Sequence, residues 1–291
     1  MMQQSLERSL RIGRFLLPYL SVVFILGGCA STPQGPEIFR EASAEELVQL
    51  LEARASAIQT MKGLFKVQVK GPGISFAQRV QAALFFQRPQ ALRLQGFTPF
   101  GGELFEFVLD DGRYRLRIHS SGQHYAGPVA ELDRSRDISR PFRLSLLAMT
   151  CVVGIAPVQK DTPVQLVEEG ARYHLDVFAP GAKEQGGEPK LIRRIWFERR
   201  TLQVTQEERF TPTGELDAKL QCEDFRPVTP AGEEGASQSA ALSQNTLIRP
   251  FRITAEDGRG EGALVMTFQE MIPNPSLTPK ELGIEVVGSA S

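Results

Sequence analysis

Apolar residues recur along this chain with two different periods. Between Ser43 and Ile58 the spacing is helical, and Leu47, Leu50, Leu51, Ala55 and Ile58 fall on one face. Ser43 stands in the N-cap position with Glu46 three residues on, the pairing in which each side chain satisfies an orphan backbone N–H of the first turn. The pattern predicts an amphipathic helix that must lie on an apolar surface. From Gly63 the period falls to 2. Phe65, Val67 and Val69 alternate with Lys66, Gln68 and Lys70; Gly71-Pro72-Gly73 turns the chain; Phe76, Val80, Ala82, Leu84 and Phe86 then share a face. These are antiparallel strands.

Further strands are predicted at 90–97, 103–110, 113–119 and 123–126, with Asp110-Asp111-Gly112 as a hairpin turn. Ser139 to Gly154 breaks the alternation with consecutive apolar residues and predicts a second helical segment. Strands resume at 163–168, 171–178, 190–198, 202–210, 215–226, 247–255 and 261–270. The polar stretch 229–245 predicts a disordered loop, the Pro-rich run Pro273 to Pro279 ends regular structure, and 283–291 is a flexible tail. About thirteen strands at hairpin spacing describe one large antiparallel sheet, a mainly β fold. Such a sheet must bury one face. With only two helical segments to cover it, a curled sheet wrapped over an N-terminal and a central helix fits better than a sandwich.

The N-terminus follows a separate pattern. Arg8, Arg11 and Arg14 precede an almost wholly apolar stretch from Phe15 to Leu26, the arrangement of an export signal. About a dozen residues are too few to span a bilayer core as a helix, which needs about 20. The stretch ends in Leu26-Gly27-Gly28-Cys29, which resembles the bacterial lipobox. That resemblance implies cleavage after Gly28 and diacylglycerol on the Cys29 thiol, with palmitate-type chains anchoring the protein to a membrane. Ala30 and Ser31 follow, with no aspartate of the kind that retains many lipoproteins in the inner membrane, so the resemblance implies the outer membrane, facing the periplasm. Residues 1–28 are then the signal, 29–42 a lipidated flexible tether and 43–282 the folded domain.

A formal net charge of −1 gives no electrostatic footprint for nucleic acid. With Cys29 committed to lipid, Cys151 and Cys222 remain. An oxidising periplasm permits them to pair, but pairing is not implied: Cys151, inside an apolar run, stands where a buried free thiol is common. No catalytic constellation, metal site or cofactor motif stands out. His119, His124 and His174 lack metal-ligand spacing; Ser75 and Ser145 lack a nucleophile elbow; Glu168-Glu169 and Glu207-Glu208 point to opposite strand faces. Arg113, Arg115 and Arg117 alternate on one face that reads as solvated, an acidic lipid headgroup being the other reading. Eighteen phenylalanines against four tyrosines and one tryptophan suit either a core or a surface that meets hydrocarbon.

Leu92-Arg93-Leu94 followed by Pro99-Phe100-Gly101, the later Ile195-Trp196-Phe197, and Met266-Thr267-Phe268 before Asn274-Pro275 together resemble the LolA/LolB-like lipoprotein carriers. The likeness runs from Ser43 to about Leu282. It implies an unclosed β-barrel, a half-barrel with helices in its mouth, and a cavity between them that holds acyl chains. Phe76, Leu84, Phe86, Leu92, Leu94, Phe105 and Phe107 are the candidates to line it. The stretches 181–187 and 229–245 depart from the family pattern. The implied function is non-enzymatic: a lipid-anchored carrier or acceptor of acyl chains or lipidated cargo in envelope assembly. The alternative is a tethered scaffold that binds an envelope protein partner.

Overall fold

A computed structural model describes residues 38–70, 78–132, 139–181, 189–232 and 247–284. Among these described residues, thirteen strands form one antiparallel sheet that does not close. Strands β1 (Thr60–Lys70), β2 (Gln78–Gln87), β3 (Ala91–Phe97), β4 (Glu103–Asp110), β5 (Arg113–Ile118) and β6 (Gln123–Pro128) meander to one edge. Helix α2 (Ser139–Val153) then carries the chain to the opposite edge. From there β7 (Val164–Glu169), β8 (Arg172–Phe178), β9 (Leu191–Glu198), β10 (Val204–Phe210), β11 (Leu216–Val228), β12 (Leu247–Asp257) and β13 (Ala263–Pro273) meander back until β13 pairs with β1. Register shifts at Leu64/Phe65, Gly96/Phe97, Val177/Phe178, Val204/Gln206 and Arg209/Phe210 interrupt the ladder. Each bends its strand and strengthens the local twist, so the sheet curls.

The curl is filled by two helices, as the two periods of the sequence require. Helix α1 (Ala44–Ser56) begins in a complete capping box: Ser43 N donates to Glu46 Oε2 at 2.7 Å and Glu46 N to Ser43 Oγ at 3.2 Å. It buries Leu47, Leu51 and Ala55. Helix α2 lies over β11 to β13 and buries Leu144, Ala148, Met149 and Val152. Its Cys151 is disulfide-bonded to Cys222 of β11, with Cα atoms 6.3 Å apart. Side chains from both helices and from the concave face of the sheet make one continuous apolar core.

One strip of the convex face is covered by the chain itself. Residues 274–284, after β13, fold back over β1 to β5. Arg93 Nη1 donates to the carbonyl oxygens of Lys280 and Glu281, Arg115 Nη2 to Gly283 O, and Lys62 Nζ lies 2.7 Å from Glu281. This strip buries Leu282 and outward-pointing Val108. Ordered packing thus continues beyond the Pro-rich run expected to end regular structure.

Candidate functional site

The concave face is built by alternation. Leu84 pairs with Leu94, Leu94 with Phe107, and Phe107 with Leu116, giving one apolar row across four strands. A second row runs Phe86, Leu92, Leu109, Tyr114. A third contains Gly96 opposite Phe105, where a Cβ on Gly96 would lie 2.2 Å from the Phe105 ring. Glycine is needed there because the ring lies flat across the strand. Of the seven candidate lining residues, Leu84, Phe86, Leu92, Leu94 and Phe107 are buried and Phe105 is half-buried. Phe76 lies outside the described residues, as does Cys29.

The first turn of helix α2 reaches these rows through one ring. The Phe142 ring meets Phe105 edge-on with centroids 5.2 Å apart, and stacks on Phe107 at 5.6 Å. A cavity of about 30 Å³ lies further along, between the C-terminal turns of both helices and β10 to β12. In this closed form the concave surface is occupied by the protein's own side chains.

The two helices converge at their C-termini. Gly154, directly after α2, has φ +106°, and a Cβ there would stand 2.7 Å from Ala55 Cα of α1. At this crossing Arg88, at the end of β2, donates from Nε to Ile58 O at 2.8 Å and from Nη2 to Ala55 O at 2.7 Å and Val153 O at 3.2 Å. One guanidinium therefore holds the last carbonyls of both helices, where the macrodipoles are negative and carbonyls lack intrahelical donors. Arg54 Nη1 donates to Leu202 O at 2.6 Å, and Arg249 donates to Arg54 O and Ile248 O at 2.9 Å each. Burial lowers the pKa of Arg88, and lowers Arg54 and Arg249 to about 10; the Arg40 charge adds to the effect on Arg54, and the charges of Arg54 and Arg88 to that on Arg249. All three stay cationic at neutral pH.

Further fastenings hold the helices elsewhere. Arg143 of α2 pairs with Asp217, Arg193 Nη2 donates to Ala156 O at 3.0 Å, and Asn274 bonds Ala57 O and Gln59 N just beyond α1. Glu207 is buried on the concave side between Arg193 at 2.9 Å and Arg209 at 3.0 Å.

The remaining polar residues singled out in the sequence are dispersed. His119 lies 3.3 Å from Glu103, His124 is exposed on β6, and Ser145 donates to Pro141 O. Glu168 pairs with Arg199, while Arg113, Arg115 and Arg117 are exposed. His174 is buried, its Nδ1 3.0 Å from Asp176 Oδ1, its ring 4.6 Å from that of Trp196. Asp176 also accepts two hydrogen bonds from Arg194, at 2.6 and 2.8 Å. Burial alone would raise the Asp176 pKa; the bonds from Arg194 and His174 overcome it and hold the carboxylate below its usual range. Among the described residues, no group of three or more His, Cys, Asp or Glu could hold a metal ion, and no helix is long and apolar enough to cross a membrane.

Two features went unread in the sequence. The arginines at the helix crossing sit on apolar positions: Arg54 follows Leu50 and Leu51 at helical spacing, Arg88 shares the register of Leu84 and Phe86, and Arg249 that of Phe251 and Ile253. A cation on an apolar face was the available signal. The other is Phe100, 99% exposed in the link between β3 and β4.

No family model and no curated protein matches the chain. Solved structures do. A DUF1329 family protein from Desulfovibrio piger aligns over 82% of this chain and 95% of its own, with TM-score 0.54 and 10% identity. A domain assigned to outer membrane lipoprotein sorting from Vibrio parahaemolyticus aligns over 82% and 97%, with TM-score 0.52 and 6% identity. A LolA superfamily protein from Nitrosomonas europaea aligns over 82% and 97%, with TM-score 0.49 and 11% identity. At such identities the likeness is one of fold: the chain shares the fold of the DUF1329 protein and of the lipoprotein-sorting domain, consistent with the half-barrel that the sequence resemblance implies.

Proposed function

We propose that this protein is a lipid-anchored envelope protein whose half-barrel takes up acyl chains or lipidated cargo when α1 and α2 move off the concave face. It acts as a non-enzymatic carrier or acceptor at the periplasmic side of the outer membrane. The observation that carries this reading is the pairing of a broad apolar surface with a cover fastened by polar latches. The rows through Leu84, Leu94 and Phe107 offer hydrocarbon contact. The helices above them are held at one end by Arg88, Arg249 and Arg54 through backbone carbonyls. Latches of this kind set the cost of opening at about 1.5–3 kcal/mol per charged hydrogen bond, reduced where water replaces it.

Uptake requires movement. Pockets for drug-sized ligands run about 300–1,000 Å³, against about 30 Å³ in the closed form. A second reading, a tethered scaffold with a permanently filled barrel, is favoured by that same small volume and by the disulfide tying α2 to β11. Fluorescent fatty-acid titration, with native mass spectrometry of the purified protein and its extracted lipid, separates the two. The carrier reading expects saturable uptake at micromolar concentration and co-purifying lipid. Absence of both, in wild type and in Arg88→Met, gives the scaffold reading.

A further inference from the structure

The cavity beside the helix crossing has an unusual lining. Leu51, Ile155, Val204, Phe225 and Pro250 make it largely apolar, yet Arg54 and Arg249 both face it. Arg249 is 5% exposed, and of its donors Nη1 and Nη2 reach carbonyl oxygens while Nε is buried without a partner. Among the described residues neither arginine has a carboxylate partner; both donate to backbone carbonyls, and the charges acting on them are other cations, Arg40 on Arg54, and Arg54 and Arg88 on Arg249. Buried charges are ordinarily paired, because an isolated one bears the full cost of desolvation. A cationic cavity without a counter-charge is therefore an anion site in waiting.

We propose that this cavity binds a carboxylate group, with Arg249 and Arg54 as its ligands. Size selects the chemistry. A volume of about 30 Å³ exceeds the roughly 10–15 Å³ that one water requires, and suits a planar two-oxygen group, which a guanidinium fork matches geometrically. The rim selects the carrier of that group. Ile248, 41% exposed, stands at the edge next to Phe225 and Pro250, so an apolar chain attached to the carboxylate leaves along an apolar path. The site thus favours the carboxylate of a medium-chain acid over a small hydrophilic one. It does not need the concave face to open, so it stands apart from the carrier reading.

Calorimetric titration of the full-length protein with acetate, octanoate and octanol tests this. Octanoate binds one equivalent and acetate competes with it, while octanol, with the same chain and no charge, binds at least about tenfold more weakly, as expected from losing a charge-assisted hydrogen bond. Arg54→Gln lowers octanoate affinity by about tenfold or more and leaves intact the backbone oxygen that Arg249 contacts. Arg249→Gln does the same, and circular dichroism reports whether each variant is folded. Acetate binding without a gain for octanoate keeps the anion site and removes the apolar exit. Equal affinity for octanol and octanoate, no binding of either acid, or a folded Arg54→Gln that binds like wild type overturns the proposal.

Discussion

Replacing Arg88 with Met keeps most of the apolar stem and removes the group that holds both helix ends. Ile58 O and Val153 O lose this donor, and Ala55 O is left with the bond from Ile58 N at 3.4 Å. Hydrogen bonds to charged groups are worth about 1.5–3 kcal/mol each, but these do not sum. The site is part-buried, so water replaces some of the lost bonds, and removing the guanidinium recovers the desolvation that lowers its pKa. A net loss of about 2–3 kcal/mol follows from one to two such bonds. Urea unfolding should show it as a lower midpoint with an unchanged slope. If the latches break when the helices lift as well as when the chain unfolds, opening becomes easier by the same amount. At about 1.4 kcal/mol per tenfold, the open fraction rises roughly 30- to 150-fold, and apparent fatty-acid affinity rises with it while the open form stays a minority. Stability and affinity thus move in opposite directions. A variant within about 0.5 kcal/mol of wild type, the spread of ordinary surface changes, would refute the latch. Lower stability with no gain in uptake would refute the lid.

Replacing Cys151 and Cys222 together with Ala opens a link of sequence separation 71, for which chain entropy gives about 4 kcal/mol; calorimetry should show a lower Tm, insensitive to dithiothreitol, and the freed α2 should raise fatty-acid uptake. Phe100→Ser, at a fully exposed ring, should leave Tm unchanged in calorimetry, within about 0.5 kcal/mol of wild type. Asp176 titrates below its ordinary value when folded, so it contributes stability above the usual carboxylate range and loses it as pH falls through the folded value; Asp176→Asn should flatten the fall of the urea midpoint on the acid side of that range. Leu94→Ala, in the middle of the buried row, should cost about 2–5 kcal/mol of stability and change apparent fatty-acid affinity little.

The sheet was legible because alternation survives at almost every strand. Phe65, Val67, Leu84, Phe86, Leu92 and Leu94 point inward as their parity requires, and Ser43 and Glu46 mark the start of α1 in both sequence and structure. Strand order was less legible. Neighbouring hairpins follow from turn signals, but the contact of β13 with β1 joins residues such as Phe65 and Phe268, whose rings lie 4.9 Å apart. No local pattern encodes that. The latches were hidden for a different reason. Arg54, Arg88 and Arg249 bond backbone carbonyls, and a carbonyl has the same identity at every residue. Their partners come from segments distant in sequence, and Arg88 gains its own only once α1 and α2 meet, so a cation at an apolar position was visible while its purpose was not.

The distinction between rows and latches decides what controls uptake. When the helices cover Leu84, Leu94 and Phe107, those side chains are already out of water. An acyl chain taking the helices' place covers the same surface again. To first order the apolar area buried on the sheet is equal in the two states and cancels, leaving the chain's own transfer from water, at about 25 cal/mol per Å², as the driving force. Against it stand the polar fastenings and the apolar helix faces through Leu47, Leu51 and Ala148 that must find another surface. A lipid bilayer or a partner protein is such a surface, and bulk water is not. On the carrier reading proposed above, uptake is therefore tied to where the protein is held: a domain anchored beside a membrane would give the lifted helices an apolar phase within reach, whereas the same domain free in solution would have none. The tether that the Cys29 lipobox implies and the latches at Arg88 and Arg249 then act on one equilibrium, the first lowering the energy of the open form and the second that of the closed.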